Sequence, residues 1–165
     1  TVIFDDDFVL DENNPLKTAE QYMEDHPNLD ILCFRLHNAQ GQTLDYVSYF
    51  EVKGSGKNKW LERNGPKRAR RKIDDHVVSH SGFNCMIAKT HVLRKVQWDP
   101  QLKIIEHWDF FYRCHLAGIQ VGVYQIGYVK HQRVTTNRNY TKYRNRSQRF
   151  MKIALKKHGF KRYDG

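Results

Sequence analysis

A mixed α/β domain is the fold class that the sequence predicts, and three observations carry the prediction. Short apolar runs of strand length recur along the chain, at residues 1–4, 31–36, 83–88 and 119–123. They alternate with segments of helical spacing such as Leu16, Ala19 and Met23. Gly and Pro punctuate the joins, at Pro27, Gly41, Gly118 and Gly159. The length of 165 residues is one domain's worth, and a hydrophobic fraction of 39% excludes intrinsic disorder. No apolar run approaches the ~18 residues of a membrane span. Cys33, Cys85 and Cys114 are far apart with no CxxC, which excludes a Cys-based zinc knuckle and a dense disulfide framework. One disulfide plus a free thiol stays open.

Residues 1–4 read as a buried strand that stops abruptly at Asp5-Asp6-Asp7. Asn14-Pro15 reads as a helix N-cap followed by Pro at the first helical position, and Pro27-Asn28 ends that helix. Ile31 and Cys33, or Leu32, Phe34 and Leu36 on the other face, mark a second strand. A turn over 38–42 leads to a third, in which Leu44, Tyr46, Ser48, Phe50 and Val52 alternate with Asp45, Val47, Tyr49 and Glu51. Periodicity fails over 53–72. There Gly54, Gly56, Gly65, Pro66 and many Lys and Arg against one acid, Glu62, predict a mobile basic loop. Residues 83–88 predict a strand, Thr90 a cap for a short helix through Val96, and Trp98-Asp99-Pro100 a turn. An amphipathic helix is predicted over 107–116 with Gly118 as its stop, then strand at Ile119, Val121, Val123 and Val129. The last prediction is one basic helix over 140–157, with Phe150, Met151, Ile153, Ala154 and Leu155 as its apolar part.

Charge is divided along the chain. Residues 1–30 hold nine acids and one base, whereas residues 31–165 hold 27 bases and nine acids, within a total of +10. A uniformly basic chain would read as a nucleic-acid binder. An acidic head on a basic body instead suits a cation held by carboxylates beside an anionic ligand held by Lys and Arg. A non-catalytic basic module binding nucleic acid or acidic glycans is the alternative, with Lys67-Arg68-Ala69-Arg70-Arg71-Lys72 as its contact. Nucleic acid is the disfavoured partner of the two.

Three adjacent acids at the end of a buried strand repel one another, and a divalent cation offsets that repulsion. Asp oxygens suit Mg²⁺ or Mn²⁺. In a strand-like backbone Asp5 and Asp7 share one side and Asp6 points away. The carboxyl end of a strand is also where open α/β sheets bind ligands. Glu106 and Asp109 flank the start of a predicted helix, where an acid either complements the helix dipole or serves as a general base. His76 and His80 have HxxxH spacing without the Glu that a zinc protease needs. Asn139-Tyr140-Thr141 and Asn145-Arg146-Ser147 fit the N-glycosylation pattern.

Beyond the acid triplet, Phe83-Asn84-Cys85-Met86-Ile87-Ala88-Lys89-Thr90 leads into Val92-Leu93-Arg94-Lys95-Val96. Trp98-Asp99-Pro100-Gln101-Leu102, Glu106-His107-Trp108-Asp109-Phe110-Phe111, Val121-Gly122-Val123 and His131 follow in order. This succession resembles the ganglioside-type β1,4-N-acetylgalactosaminyltransferases, which have the GT-A fold. The similarity runs from Thr1 to about Arg144 and is weakest in the basic loop.

The resemblance implies a GT-A domain, a mixed sheet flanked by helices, whose uridine-gripping half precedes residue 1. These 165 residues are then the catalytic portion of a longer enzyme and turn donor over poorly alone. The implied activity is inverting transfer of N-acetylgalactosamine or a related hexosamine from a UDP-sugar to a glycan or glycolipid hydroxyl. Asp5, Asp6 and Asp7 form the cofactor motif. By the same match Asp7 binds Mn²⁺ (or Mg²⁺), Asp5 lies near the ribose or donor sugar and joins the metal shell, and His131 completes the coordination. Asp109 is implied as the general base, with Glu106 as second candidate, and Trp98 and Trp108 as stacking surfaces for sugars. An acidic acceptor would suit the basic body. A Golgi-lumenal location with a membrane-anchored full-length form completes the expectation, or a cytoplasmic one for a bacterial or viral protein.

Overall fold

A computed structural model describes residues 1–12, 14–64, 71–132 and 138–165. Strands β1 (Val2–Phe4) and β2 (Phe8–Val9) precede helix α1 (Leu16–Asp25), followed by β3 (Ile31–Cys33), β4 (Leu36–His37), β5 (Thr43–Leu44) and β6 (Tyr49–Lys53). A 3-10 turn at Gly56–Asn58 leads to β7 (Trp60–Asn64), β8 (Lys72–Ile73), β9 (His76–Ser79) and β10 (Cys85–Ala88). Helices α2 (Thr90–Lys95) and α3 (Glu106–Leu116), strands β11 (Val121–Tyr124) and β12 (Val129–His131), helices α4 (Arg138–Arg144) and α5 (Ser147–His158), and β13 (Tyr163–Asp164) follow.

Among the described residues the strands form three mixed sheets. The largest has the order β1-β10-β3-β11-β9-β8, with β11 parallel to β3 and every other pairing antiparallel. A second, β2-β12-β4-β5, pairs β12 parallel to β4. The third, β13-β7-β6, lies on the hairpin of β6 and β7. The large sheet is covered on both faces, as the alternation of β3 requires. Ile31 and Cys33 pack with Met86, Ala88, Phe110 and Phe111 on the α3 side. Leu32 and Phe34 pack with Ala19, Tyr22 and Met23 of α1 on the other. A strand apolar on both faces is thus a central strand between two helical layers.

Three chain segments cross from the large sheet to the second one, between β1 and β2, β3 and β4, and β11 and β12. The acid triplet occupies the first crossing, and β12 carries His131. Register does the rest: His131 pairs with Phe8, and the Gln132 N–H donates to the Asp7 carbonyl at 2.8 Å.

Several expected elements differ. Residues 53–64 are a hairpin arm, not a loop, because β7 pairs residue for residue with β6 from Lys53↔Trp60 to Tyr49↔Asn64. Residues 65–70 of the predicted basic loop lie outside the described residues. The predicted strand over 44–52 is split. Its start, β5, joins the second sheet and its end, β6, joins the third. The single basic helix is two helices broken at Asn145 and Arg146. Thr90 makes no cap bond and instead pairs its hydroxyl with that of Thr1 at 2.8 Å. Pro15, not Asn14, stands at the N-cap of α1, and Asn14 one position earlier accepts the Leu16 N–H at 3.3 Å. The stops at Gly118 and Gly159 hold, both with positive φ. The β8–β9 hairpin has no counterpart in the expectations. Its turn places Asp74 at φ 47, a role for which the usual sequence signal is Asn-Gly.

Candidate active site

A cavity of about 770 Å³ opens at the crossing between the two larger sheets. Asp5, Asp6, Asp7 and His131 line it together with Asn84 and His107, and so do the aromatic and cationic side chains Tyr46, Phe83, Arg63 and Arg144. The triplet itself is a turn: β1 ends at Phe4, and the Phe8 N–H donates to the Asp5 carbonyl at 3.3 Å. The strand-like alternation that would turn Asp6 away therefore does not apply, and all three acids reach the cavity.

Two of the three acids have separate partners. Asp7 Oδ2 lies 3.0 Å from His131 Nε2, and both side chains remain about a third exposed, at 33% and 27%. The Phe8 ring packs on the His131 ring with centroids 5.3 Å apart, which holds the imidazole in place. Asp5 accepts from the Asn84 amide, because Phe4↔Cys85 pairing sets Asn84 opposite Asp5. Its other oxygen is 3.8 Å from His107 Nε2, which is also 3.7 Å from Glu106 Oε1. The expected set of Asp5, Asp7 and His131 is thus only partly assembled: Asp7 meets His131, and Asp5 turns to Asn84 and His107. Among the described residues no three His, Cys, Asp or Glu gather as a metal-binding group.

Asp7 and His131 nevertheless fit a divalent cation. One carboxylate oxygen and one imidazole nitrogen converge at a solvent-accessible corner, and a cation that also takes phosphate oxygens and water needs few protein ligands. The mixed oxygen and nitrogen pair suits Mn²⁺ better than Mg²⁺, which favours oxygen ligands and keeps several waters. The wall beside them also holds unmet hydrogen-bonding capacity. Asn84 Oδ1, His107 Nδ1 and Glu106 Oε2 are buried with no hydrogen-bond partner among the described residues.

Asp109 is elsewhere. A helix turns about 100° per residue, so the α3 face that lines the cavity through His107, Trp108 and Phe111 carries Asp109 away from it. Its side chain is 1% exposed and held by two contacts, Arg113 Nε to Oδ2 and His158 Nε2 to Oδ1, each at 2.7 Å. Burial pushes this carboxyl up, but the hydrogen bonds from His158 and Arg113 outweigh it and hold the group below its ordinary value. Asp109 is therefore held on both oxygens and does not line the cavity, so the structure does not bring the expected base together with the acid triplet. Glu106, 23% exposed beside His107, is the acid of this block next to the cavity wall.

Of the two candidate stacking residues, Trp108 lines the cavity, whereas Trp98 lies flat on Phe110 with centroids 4.0 Å apart and is core. Sequence reasoning passed over Asn84, His107, Arg63 and Tyr46. Asn84 and His107 stand inside the quoted blocks, but nothing local says they face Asp5. Arg63 was part of the supposed loop, and its place over the Tyr46 ring at 4.8 Å exists only because β7 is a strand.

No family model, curated protein or solved structure matches the chain. The functional reading therefore stands on the residues and their geometry.

Proposed function

We propose that the chain is the catalytic portion of a metal-dependent, inverting glycosyltransferase of GT-A type. It moves N-acetylgalactosamine or a related hexosamine from a UDP-sugar to a glycan or glycolipid hydroxyl, within the Golgi lumen. The observation that carries the reading is the Asp7–His131 pair, 3.0 Å apart on a cavity that Arg63 and Arg144 also line. When bound at Asp7 and His131, Mn²⁺ supplies Lewis-acid stabilisation of the charge that develops on the departing diphosphate. Arg63 and Arg144 add fixed positive charge for the donor phosphates or an acidic acceptor. Tyr46, Phe83 and Trp108 offer ring faces against which a sugar can pack. Glu106, which stands 3.7 Å from the cavity-lining His107 without lining the cavity itself, is the candidate to take the proton of the acceptor hydroxyl. Asp109 is a positioning residue that locks α3 against α5.

The first test measures UDP binding by calorimetry with and without Mn²⁺, on the full-length protein and on Asp7→Ala. Binding that needs the metal and falls at least about tenfold in the variant, some 1.4 kcal/mol, supports the site. Metal-independent binding that survives the substitution refutes it. The second test compares Glu106→Gln with Asp109→Asn. The Glu106 change should lower turnover by about 10²–10⁴ with UDP affinity retained. A collapse of turnover in Asp109→Asn at unchanged stability would instead return the base to Asp109.

One observation favours a second reading, a non-catalytic basic module. From Phe110 to Tyr163 the chain holds thirteen Lys or Arg and no acid. That reading requires RNA or DNA affinity that falls steeply with salt and ignores Mn²⁺.

A further inference from the structure

We infer that Asn145 is an acceptor for an N-linked glycan, set at the junction of α4 and α5 beside the candidate active site. The inference rests on the proposed passage of the protein through the secretory pathway. Asn145-Arg146-Ser147 has the required hydroxyl two residues on and no Pro between. Most Asn-x-Ser/Thr matches in folded chains are lost to burial or to helix interiors, and this one escapes both. Asn145 and Arg146 are the two turn residues that separate α4 from α5, and both are exposed.

The turn does not use the Asn145 side chain. The backbone holds it: the Asn145 N–H donates to the Thr141 carbonyl and the Arg146 N–H to the Tyr143 carbonyl, each at 3.0 Å. The Asn145 carboxamide makes no hydrogen bond among the described residues. Thr141, Lys142, Arg144, Arg146 and Gln148 around it are exposed, so the first sugars meet no packed wall. A bulky, hydrated modification at such a turn buries no polar group and breaks no helix hydrogen bond.

The step joins the Asn145 amide nitrogen to the anomeric carbon of an oligosaccharide carried as a lipid diphosphate. The bond from that carbon to the diphosphate oxygen breaks, the lipid diphosphate leaves, and the amide gives one proton to the base of the transferring enzyme. The second sequon cannot be read in the same way, since the side chains of Asn139 and Tyr140 lie outside the described residues.

The test is secretion of the chain from a eukaryotic host behind an added leader, then peptide N-glycosidase treatment. The enzyme converts an occupied Asn to Asp, so peptide mass spectrometry names the site. The wild-type chain should lose mobility-retarding glycan on treatment, with the mass tag on Asn145. Asn145→Gln and Ser147→Ala should each remove that tag and one glycan's worth of shift. Ser147→Thr should keep it, and Asn139→Gln should leave the Asn145 tag in place. A secreted wild-type chain without the tag overturns the inference, as does a shift unchanged in both Asn145→Gln and Ser147→Ala. UDP binding with Mn²⁺, measured on the full-length protein, reports separately: a protein tagged at Asn145 whose full-length form fails to bind UDP keeps this inference and sinks the transferase reading.

Discussion

Asp7 pairs with His131 at 3.0 Å and Asp109 with His158 at 2.7 Å, yet the two contacts do opposite work. The chemistry of the pairs is identical. Their surroundings are not. Asp7 and His131 are each about a third exposed, and the pair borders a cavity with further acids and two arginines. Asp109 is fully enclosed, with both oxygens taken and Lys157–Asp99 as a second tie between α5 and the turn preceding α3. An ion pair with solvent access and lone pairs to spare can exchange a partner for a ligand. A carboxylate 1% exposed, with Arg113 on one oxygen and His158 on the other, ties α3 to α5 and has no open side for a ligand.

That contrast predicts unequal costs when each pair is broken. Asp109→Asn should lower folding stability by about 1.5–3 kcal/mol, because it replaces the carboxylate that accepts from both Arg113 and His158 with a neutral amide whose NH₂ must face one of those donors. Urea unfolding at pH 7 measures it. The contribution is present above the unfolded carboxyl value near ~3.9 and is lost as pH falls through the lower folded value. Wild type and variant should therefore converge in acid. A variant as stable as wild type at pH 7 would break the distinction between the two pairs.

Asp7→Asn should cost under about 1 kcal/mol of stability, the usual range for an exposed pair, while abolishing Mn²⁺-dependent UDP binding. It also relieves repulsion within the triplet, so a small gain in stability is compatible. A large loss would mean that Asp7 is structural after all.

The smallest effect belongs to a third pair, His26–Asp74, which ties the end of α1 to the β8–β9 turn at 2.9 Å. The hydrogen bond that His26 donates to the Asp74 carboxylate, then that to the Tyr22 carbonyl, holds His26 above its ordinary value. Its stabilisation is complete below about 6.5 and is lost as pH rises through the raised folded value. His76, which shares Tyr22 through a 2.8 Å bond to its hydroxyl, is pushed down by burial and by His26, so it opposes this trend in acid. Comparing His26→Asn with wild type isolates the first effect: a difference under about 1 kcal/mol at pH 5.5 that fades by pH 8.5. A difference that grows with pH would reverse the assignment.

Local chemistry was legible in the residues. The strand that ends at Phe4, the turn around Gly41 and the helix stops at Gly118 and Gly159 follow from periodicity and backbone preference within a few positions; that β1 lies at the sheet edge with Val2 exposed, not buried as expected, and that residues 31–34 are buried on both faces, do not. The triplet could be recognised as a ligand candidate for the same reason, since three adjacent carboxylates after an apolar run are costly wherever they lie. The hairpin of β6 and β7 could not. Its arm, Trp60-Leu61-Glu62-Arg63-Asn64, is rich in charge, and among its described side chains Leu61 alone is fully buried, so pairing with β6 rather than its own pattern makes it a strand.

Composition and short-range pattern were enough for a mixed α/β chain with an acidic head and a basic body, and for the acids that open it. They could not say that Asp6 joins its neighbours in the cavity, that Asn84 and His107 take Asp5, or that Asp109 turns inward. Those outcomes depend on strand register and on which side of α3 meets α5. His131 stands beside Asp7 across 124 positions of chain because β12 pairs with β2, and no window of sequence contains both. The acidic head is therefore a set of potential ligands by sequence, and a site only through the pairing of strands that are distant in the chain.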